Sequence, residues 1–174
     1  MSDKLDKFFK STRGGRIATS SAAIAWSAVF LVFFTFFSKY LAYYEHATVD
    51  GVTKWNIYPL LTADFNAVLP ILTTTLILCI VGHIVLIILD KYLLRQITVI
   101  VLYLLGMATV LTFLRVFPFD FSVIPNADIA AIMPTVAIIA LILISIGLGV
   151  GALVTFIRLM INVSRQKTSQ GKLA

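Results

Sequence analysis

The chain has 174 residues, 60% of them hydrophobic and 13% charged, with a mean hydropathy of +1.00 and a formal charge of +6 at pH 7. Soluble domains carry about 25% charged residues, so a water-soluble globule is excluded: too few polar side chains remain to form a wetted face. A single cysteine, Cys79, rules out a disulfide framework and a cysteine-based zinc site; no nucleic acid is needed to explain the basic balance, because a positive surface facing anionic lipid headgroups accounts for it.

Residues 1–16 form a basic leader to the first apolar run. Leu5, Phe8, Phe9 and Thr12 recur at helical spacing between Lys4, Lys7 and Lys10. Two readings stay open: a short interfacial helix on the inner leaflet, with Gly14-Gly15 as the bend into the first span, or a disordered basic tail that fixes orientation.

Four long uncharged runs follow, between Arg16 and Lys39, Asp64 and Asp90, Arg95 and Arg115, and Asp128 and Arg158. Each can cross about 30 Å of hydrocarbon at 1.5 Å per residue. The expected fold is an all-α integral membrane protein, with spans at about 19–42, 66–89, 96–116 and 131–157 inside a transmembrane domain of residues 17–162. The first run is too long for a signal peptide and is read as a membrane anchor. Its Phe30, Phe33, Phe34, Phe36 and Phe37 spread around the helix toward lipid, while Ala18, Ser21, Ala22, Ala25 and Ala28 offer a smooth face to a neighbouring helix. Tyr40, Tyr43 and Tyr44 suit an aromatic belt at the outer headgroups. The following outer loop, about residues 45–62, contains the turn signal Asp50-Gly51, and its Trp55, Tyr58 and Pro59 are expected to fold back on the interface. It is too small to bury a core of its own.

The short connection "DKYLLR" makes spans two and three antiparallel neighbours, and the second outer loop, "VFPFDFSVIPNAD", is also short. Together these give an antiparallel four-helix bundle. Span four contains "SIGLGVGALVTF", where Ser145, Gly147, Gly149 and Gly151 allow close backbone approach, to a neighbouring span or to another subunit. Residues 163–174 are a polar, frayed tail.

Positive residues fix orientation through the short segments beside the spans. The N-terminal segment with Arg13 and Arg16, the turn with Lys91 and Arg95, and the tail with Arg158, Arg165, Lys167 and Lys172 lie on one side; Lys39, Lys54 and Arg115 lie on the other. Both termini are therefore expected to be cytoplasmic, in a plasma membrane, with anionic headgroups as the lipid partners on that side.

The octets "ADFNAVLP" (63–70) and "ADIAAIMP" (127–134) match at Ala63 with Ala127, Asp64 with Asp128, Ala67 with Ala131 and Pro70 with Pro134. Each Asp can cap exposed backbone N–H groups at a helix start, and each Pro, one to two turns on, bends the helix. Either this is shared helix-start grammar, or a two-span hairpin has been duplicated to give two parallel-related halves.

Chemistry is sparse. His83 is the one histidine within a span, an ionisable group that is a functional candidate by position. It suits a quinone carbonyl, a proton path or a hydrogen bond to Thr109, Thr112 or a backbone carbonyl. A bis-histidine haem would need His46, which lies beyond the outer end of the first span, so no cofactor is expected. No carboxylate lies centrally in any span, which argues against cation-driven pumping. Thr73, Thr74 and Thr75 either bond their own helix backbone or line a polar path. Glu45, His46 and Asp50 match no metal template, and no metal site is expected. The leading expectation is a non-enzymatic integral subunit or scaffold that works by associating with itself or with other membrane subunits. The alternatives are a homo-oligomeric channel or small transporter with a vestibule at Asp64, Pro70, Thr73, Thr74, Asp128 and Pro134, and a redox component using His83.

Overall fold

The computed structural model describes residues 13–49 and 52–170. The basic leader up to residue 12, the Asp50-Gly51 pair and the last four residues lie outside the described residues. The chain is mostly helical, with four helices long and apolar enough to cross a membrane.

Helix α1 runs Arg13–Val32 and continues through a π-helical turn, Phe33–Phe37, and a 3-10 turn, Ser38–Tyr40. Strands β1 (Ala42–Val49) and β2 (Val52–Pro59) follow, then α2 (Phe65–Leu89), α3 (Tyr92–Val116) and α4 (Ala127–Gln170). The chain has two ends: a turn end, where α1 begins and α2 passes into α3, and a hairpin end, where β1 and β2 emerge. Very little is sealed inside. Phe65, Val68, Leu72, Leu86, Ala152 and Pro118 are the deeply buried apolar side chains among the described residues, while Ile88, Phe36, Trp26 and Leu143 are each more than 60% exposed. That much exposed apolar surface is compatible with helices that cross a membrane.

Among the described residues the helices pack chiefly with their chain neighbours, α1 on α2, α2 on α3 and α3 on α4, with no comparable contact between α1 and α4. Small and polar residues make these seams. A Cβ on Gly82 would come within 3.1 Å of the Thr98 methyl, and one on Gly151 within 3.1 Å of the Tyr103 ring. Thr75 and Thr109 share a hydroxyl bond of 2.8 Å, and Thr109 in turn donates to the Leu105 carbonyl. Near the turn end, Asn162 of α4 donates to the Tyr92 hydroxyl at the start of α3. Helix α4 continues from there to Gln170, roughly 12 Å further at 1.5 Å per residue, so the expected frayed tail is helical up to that residue.

The departure from an all-helical chain is the hairpin, where a loop was expected. Val49 pairs with Val52 and the antiparallel register runs back to Ala42 with Pro59, leaving only Asp50 and Gly51 between the strands. β-Branched and aromatic residues suit a pleated ribbon, and Asp-Gly suits its two-residue connection. Tyr43 faces Tyr58 with ring centroids 6.5 Å apart, and His46 meets the Trp55 ring edge-on at 5.3 Å. The hairpin is tied to the second connection at its base. Leu60 N–H donates to Leu41 O, Asp120 N–H to Leu60 O and Thr62 N–H to Pro118 O, and Leu61 bridges Phe119. A run of aromatic contacts, Phe34–Phe65–Phe113–Phe119, fastens that base onto the helix ends.

Candidate functional site

Polar side chains converge at the turn end, where α1, the α2–α3 turn and α3 meet. Helix α2 ends at Leu89, and Asp90 takes a left-handed conformation, φ 36° and ψ 30°, that reverses the chain within two residues. This aims its carboxylate at α1. Arg16 answers with two bonds, Nε to Oδ1 at 3.1 Å and Nη2 to Oδ2 at 2.8 Å, the fork geometry in which guanidinium and carboxylate bind best. Arg13, one turn earlier, approaches the same carboxylate at 3.9 Å. Arg95, one turn into α3, donates through Nη2 to the Arg16 carbonyl at 3.2 Å and to Ser20 Oγ at 3.1 Å. Its Nε is buried and has no hydrogen-bond partner among the described residues.

The ion pair with Arg16, and behind it the charges of Arg13 and Arg95, hold the Asp90 carboxyl below the usual carboxylate range. His83, two turns before Asp90 on α2, lies within reach of the Arg95 charge. Its Nδ1 is buried with no hydrogen-bond partner among the described residues. The expected partners are spent elsewhere: Thr109 joins Thr75 and the Leu105 carbonyl, and Thr112 donates to the Ala108 carbonyl.

The residues of the expected vestibule lie on two helices, Asp64, Pro70, Thr73 and Thr74 at or in α2 and Asp128 and Pro134 in α4. Asp64 and Asp128 are both exposed at the hairpin end, and among the described residues neither forms an ion pair with Arg115. Their capping role is corrected. Asp64 occupies the cap position of α2 without a side-chain hydrogen bond. At α4 the cap is Asn126, whose Oδ1 accepts from the N–H groups of Asp128 and Ile129 at 3.0 and 3.1 Å. Both helices are continuous through their prolines, Pro70 and Pro134. Thr73 donates to the carbonyls of Leu69 and Pro70, whereas Thr74 is exposed.

The small-residue faces divide in the same way. On α1 the buried residues are Ser20 and Ser27, and Ala22 and Ala25 are exposed. On α4, Gly151 lies against Tyr103, Gly149 lies 3.6 Å from the Met107 sulfur by its would-be Cβ, and Ser145 is half-buried; Gly147 has nothing within 4 Å.

Sequence reasoning used Arg16, Asp90 and Arg95 only as markers of orientation and did not single out Ser20. The available signal was the position of Asp90, a carboxylate between two arginine-bearing span ends. No family model, curated protein or solved structure matches the chain.

Proposed function

We propose that the protein is a non-enzymatic integral membrane subunit or scaffold. In this reading its four long helices cross the plasma membrane as an antiparallel bundle, with both termini cytoplasmic, and it acts by associating with other membrane chains or with copies of itself. The concentration of Arg and Lys at the turn end supports that orientation. One observation carries the functional reading: among the described residues, small residues on both outer helices of the row are left outside the internal packing. Ala18, Ala22 and Ala25 are exposed on α1, and Gly147 is open on α4. Small residues in a bilayer let helix backbones approach closely, and these two surfaces lie where a further helix would dock.

Gentle extraction from the native membrane followed by native mass spectrometry tests this. The expected result is a complex heavier than the 19.2 kDa chain, reduced to the single chain when Gly147→Leu and Ala22→Leu are introduced together. A lone 19.2 kDa species from the wild type would sink the reading.

A homo-oligomeric channel or small transporter is the second reading, favoured by one face of α2. Ala67, Pro70, Thr74, Ile77 and Val81 recur at helical spacing and are all exposed. Thr74 is thereby turned away from its own helix neighbours, toward the place where a path between subunits would run. In this reading Asp64 and Asp128, both exposed at the hairpin end, would form its mouth, with Pro70 and Pro134 further along α2 and α4. A wild-type mass at an integer multiple of the chain favours this version of association; a mass that needs other chains favours the subunit.

A further inference from the structure

The β1–β2 ribbon has two unlike faces. Side chains alternate across a strand, and the register sets Tyr44 opposite Ile57 and His46 opposite Trp55 on one face. Tyr43 opposite Tyr58 and Glu45 opposite Asn56 fall on the other, together with Lys54. The ring contacts agree, since His46 meets Trp55 and Tyr43 meets Tyr58. Glu45 and Lys54, the acid and the base among the described side chains of the ribbon, therefore share the Tyr43–Tyr58 face. The opposite face is largely apolar and uncovered: Tyr44 is 43% exposed, Trp55 62% and Ile57 56%. A two-stranded ribbon with nothing packed on its apolar face is marginal in water.

We infer that the face made by Tyr44, His46, Trp55 and Ile57 rests on the lipid headgroup layer at the hairpin end, with Glu45, Lys54 and Asn56 turned to water. The root of the ribbon argues for lipid as the occupant. The first long apolar helix ends at Tyr40, and β1 begins two residues later at Ala42. Leu60 and Thr62 are bonded to Asp120 and Pro118, beside the ends of α2 and α3. The ribbon is thus held where the apolar helices stop, and it meets a headgroup layer without recruiting a second protein. Exposed aromatic side chains also continue across that root, from Phe36, Phe37 and Tyr40 to Tyr44. Tyr44 leans back onto the helix end, its hydroxyl donating to the Tyr40 carbonyl at 3.3 Å. It is therefore the uncharged face that carries on from the exposed side of the helix. Tryptophan and tyrosine settle at headgroup level because each ring joins an apolar body to a polar tip. His46 brings ring nitrogens that suit lipid phosphate or ester oxygens. Trp55 and Tyr58, expected together at the interface, are assigned to opposite sides. This inference rests on the membrane reading above but not on the protein being a subunit.

The test uses chains with one tryptophan each, reconstituted in vesicles doped with a lipid that carries a nitroxide on its headgroup. In Trp26→Phe the remaining tryptophan is Trp55, and its emission should be quenched by that nitroxide. Adding Trp55→Phe and Asn56→Trp moves the reporter one position along β2, to the other face at nearly the same height. Tryptophan suits a strand, so the ribbon is kept, and this emission should lose less to the nitroxide than that of Trp55. Equal losses from the two faces, or no loss from Trp55, overturn the inference. So does quenching of Trp55 by lipids brominated on their acyl chains, which would place the ribbon below the headgroups. Flotation with the same vesicles separates the two levels: a chain that floats while Trp55 escapes the headgroup nitroxide refutes the placement of the ribbon alone, and a chain that does not float refutes the membrane reading with it.

Discussion

Asp90 sits at φ 36°, a region that most side chains avoid and that Asp and Asn tolerate. Its N–H bonds the Leu86 carbonyl and closes α2, while its carboxylate binds Arg16 of a different helix. Asp90→Asn keeps the backbone preference and removes the charge, so it isolates the ion pair from the turn. The bond from Arg16 depresses the carboxyl in the folded state, followed by the charges of Arg13 and Arg95. A depressed carboxyl contributes stability that is fully present above its unfolded value of about 3.9. That contribution is lost as pH falls through the lower folded value. Thermal unfolding in mild detergent should therefore find the wild type more stable than Asp90→Asn at pH 7, with the gap closing below about pH 4. A gap that persists unchanged in acid would mean that Asp90 works through its backbone alone.

At the scale of elements, Gly151 and Gly147 separate packing from exposure. They lie on the same helix four residues apart, yet a Cβ at Gly151 meets three atoms of the Tyr103 ring at 3.1 to 3.4 Å and one at Gly147 meets nothing. Gly151→Ala must displace an aromatic ring wedged between α3 and α4, and overpacking of that kind costs about 1–3 kcal/mol. Gly147→Ala should leave the chain's own stability unchanged or slightly improved, because alanine is the better helix former. Chemical denaturation of both variants in the same detergent checks this; equal losses would contradict the α3–α4 seam. The pair also shows what was readable in advance. Uncharged runs of sufficient length are nearly unambiguous, so the four long helices could be read directly. Which face of each packs inward could not. Apolar residues fill every face of these helices and so single out none, while Ser20, Thr75 and Thr109 make cross-helix hydrogen bonds; Ala18, Ala22 and Ala25 on the smoother face of α1 stay exposed. The hairpin is hard to read from the sequence because Tyr43, Tyr44, Trp55 and Tyr58 suit an interfacial belt equally well, and Asp50-Gly51 signals a turn without specifying strands on either side. The cap of α4 went to Asn126, two residues ahead of the repeated Asp128, because a cap is chosen by where the first turn closes. The turn-end cluster depends on Arg16 meeting Asp90 across 74 positions, a pairing that no local pattern announces.

For the whole molecule, the two tryptophans report on where the chain sits. Trp26 lies within the first long helix, Arg13–Tyr40, and is 65% exposed; Trp55 is in β2 and is 62% exposed. Exposure alone does not distinguish them, but their surroundings should. Trp26 is roughly 20 Å from Arg13 along the axis at 1.5 Å per residue, which puts it deep in the hydrocarbon if the turn-end arginines mark one headgroup layer. Trp55 stands beyond the far end of that helix, on a ribbon whose base is fixed by the Leu60–Asp120 and Thr62–Pro118 bonds. The chain reconstituted in vesicles, as Trp26→Phe and Trp55→Phe variants, separates the two signals. Emission from Trp26, observed in Trp55→Phe, should be quenched by lipids brominated on their acyl chains and be nearly indifferent to iodide. Emission from Trp55, observed in Trp26→Phe, should respond to iodide and little to the brominated chains. Equal iodide quenching of both would mean that α1 does not cross the bilayer. Acyl-chain quenching of Trp55 would instead lay the hairpin into the membrane, turning its Tyr44, Trp55 and Ile57 face toward lipid. That would make the aromatic ribbon an anchor in the leaflet, a second hold on the bilayer beside the four long helices.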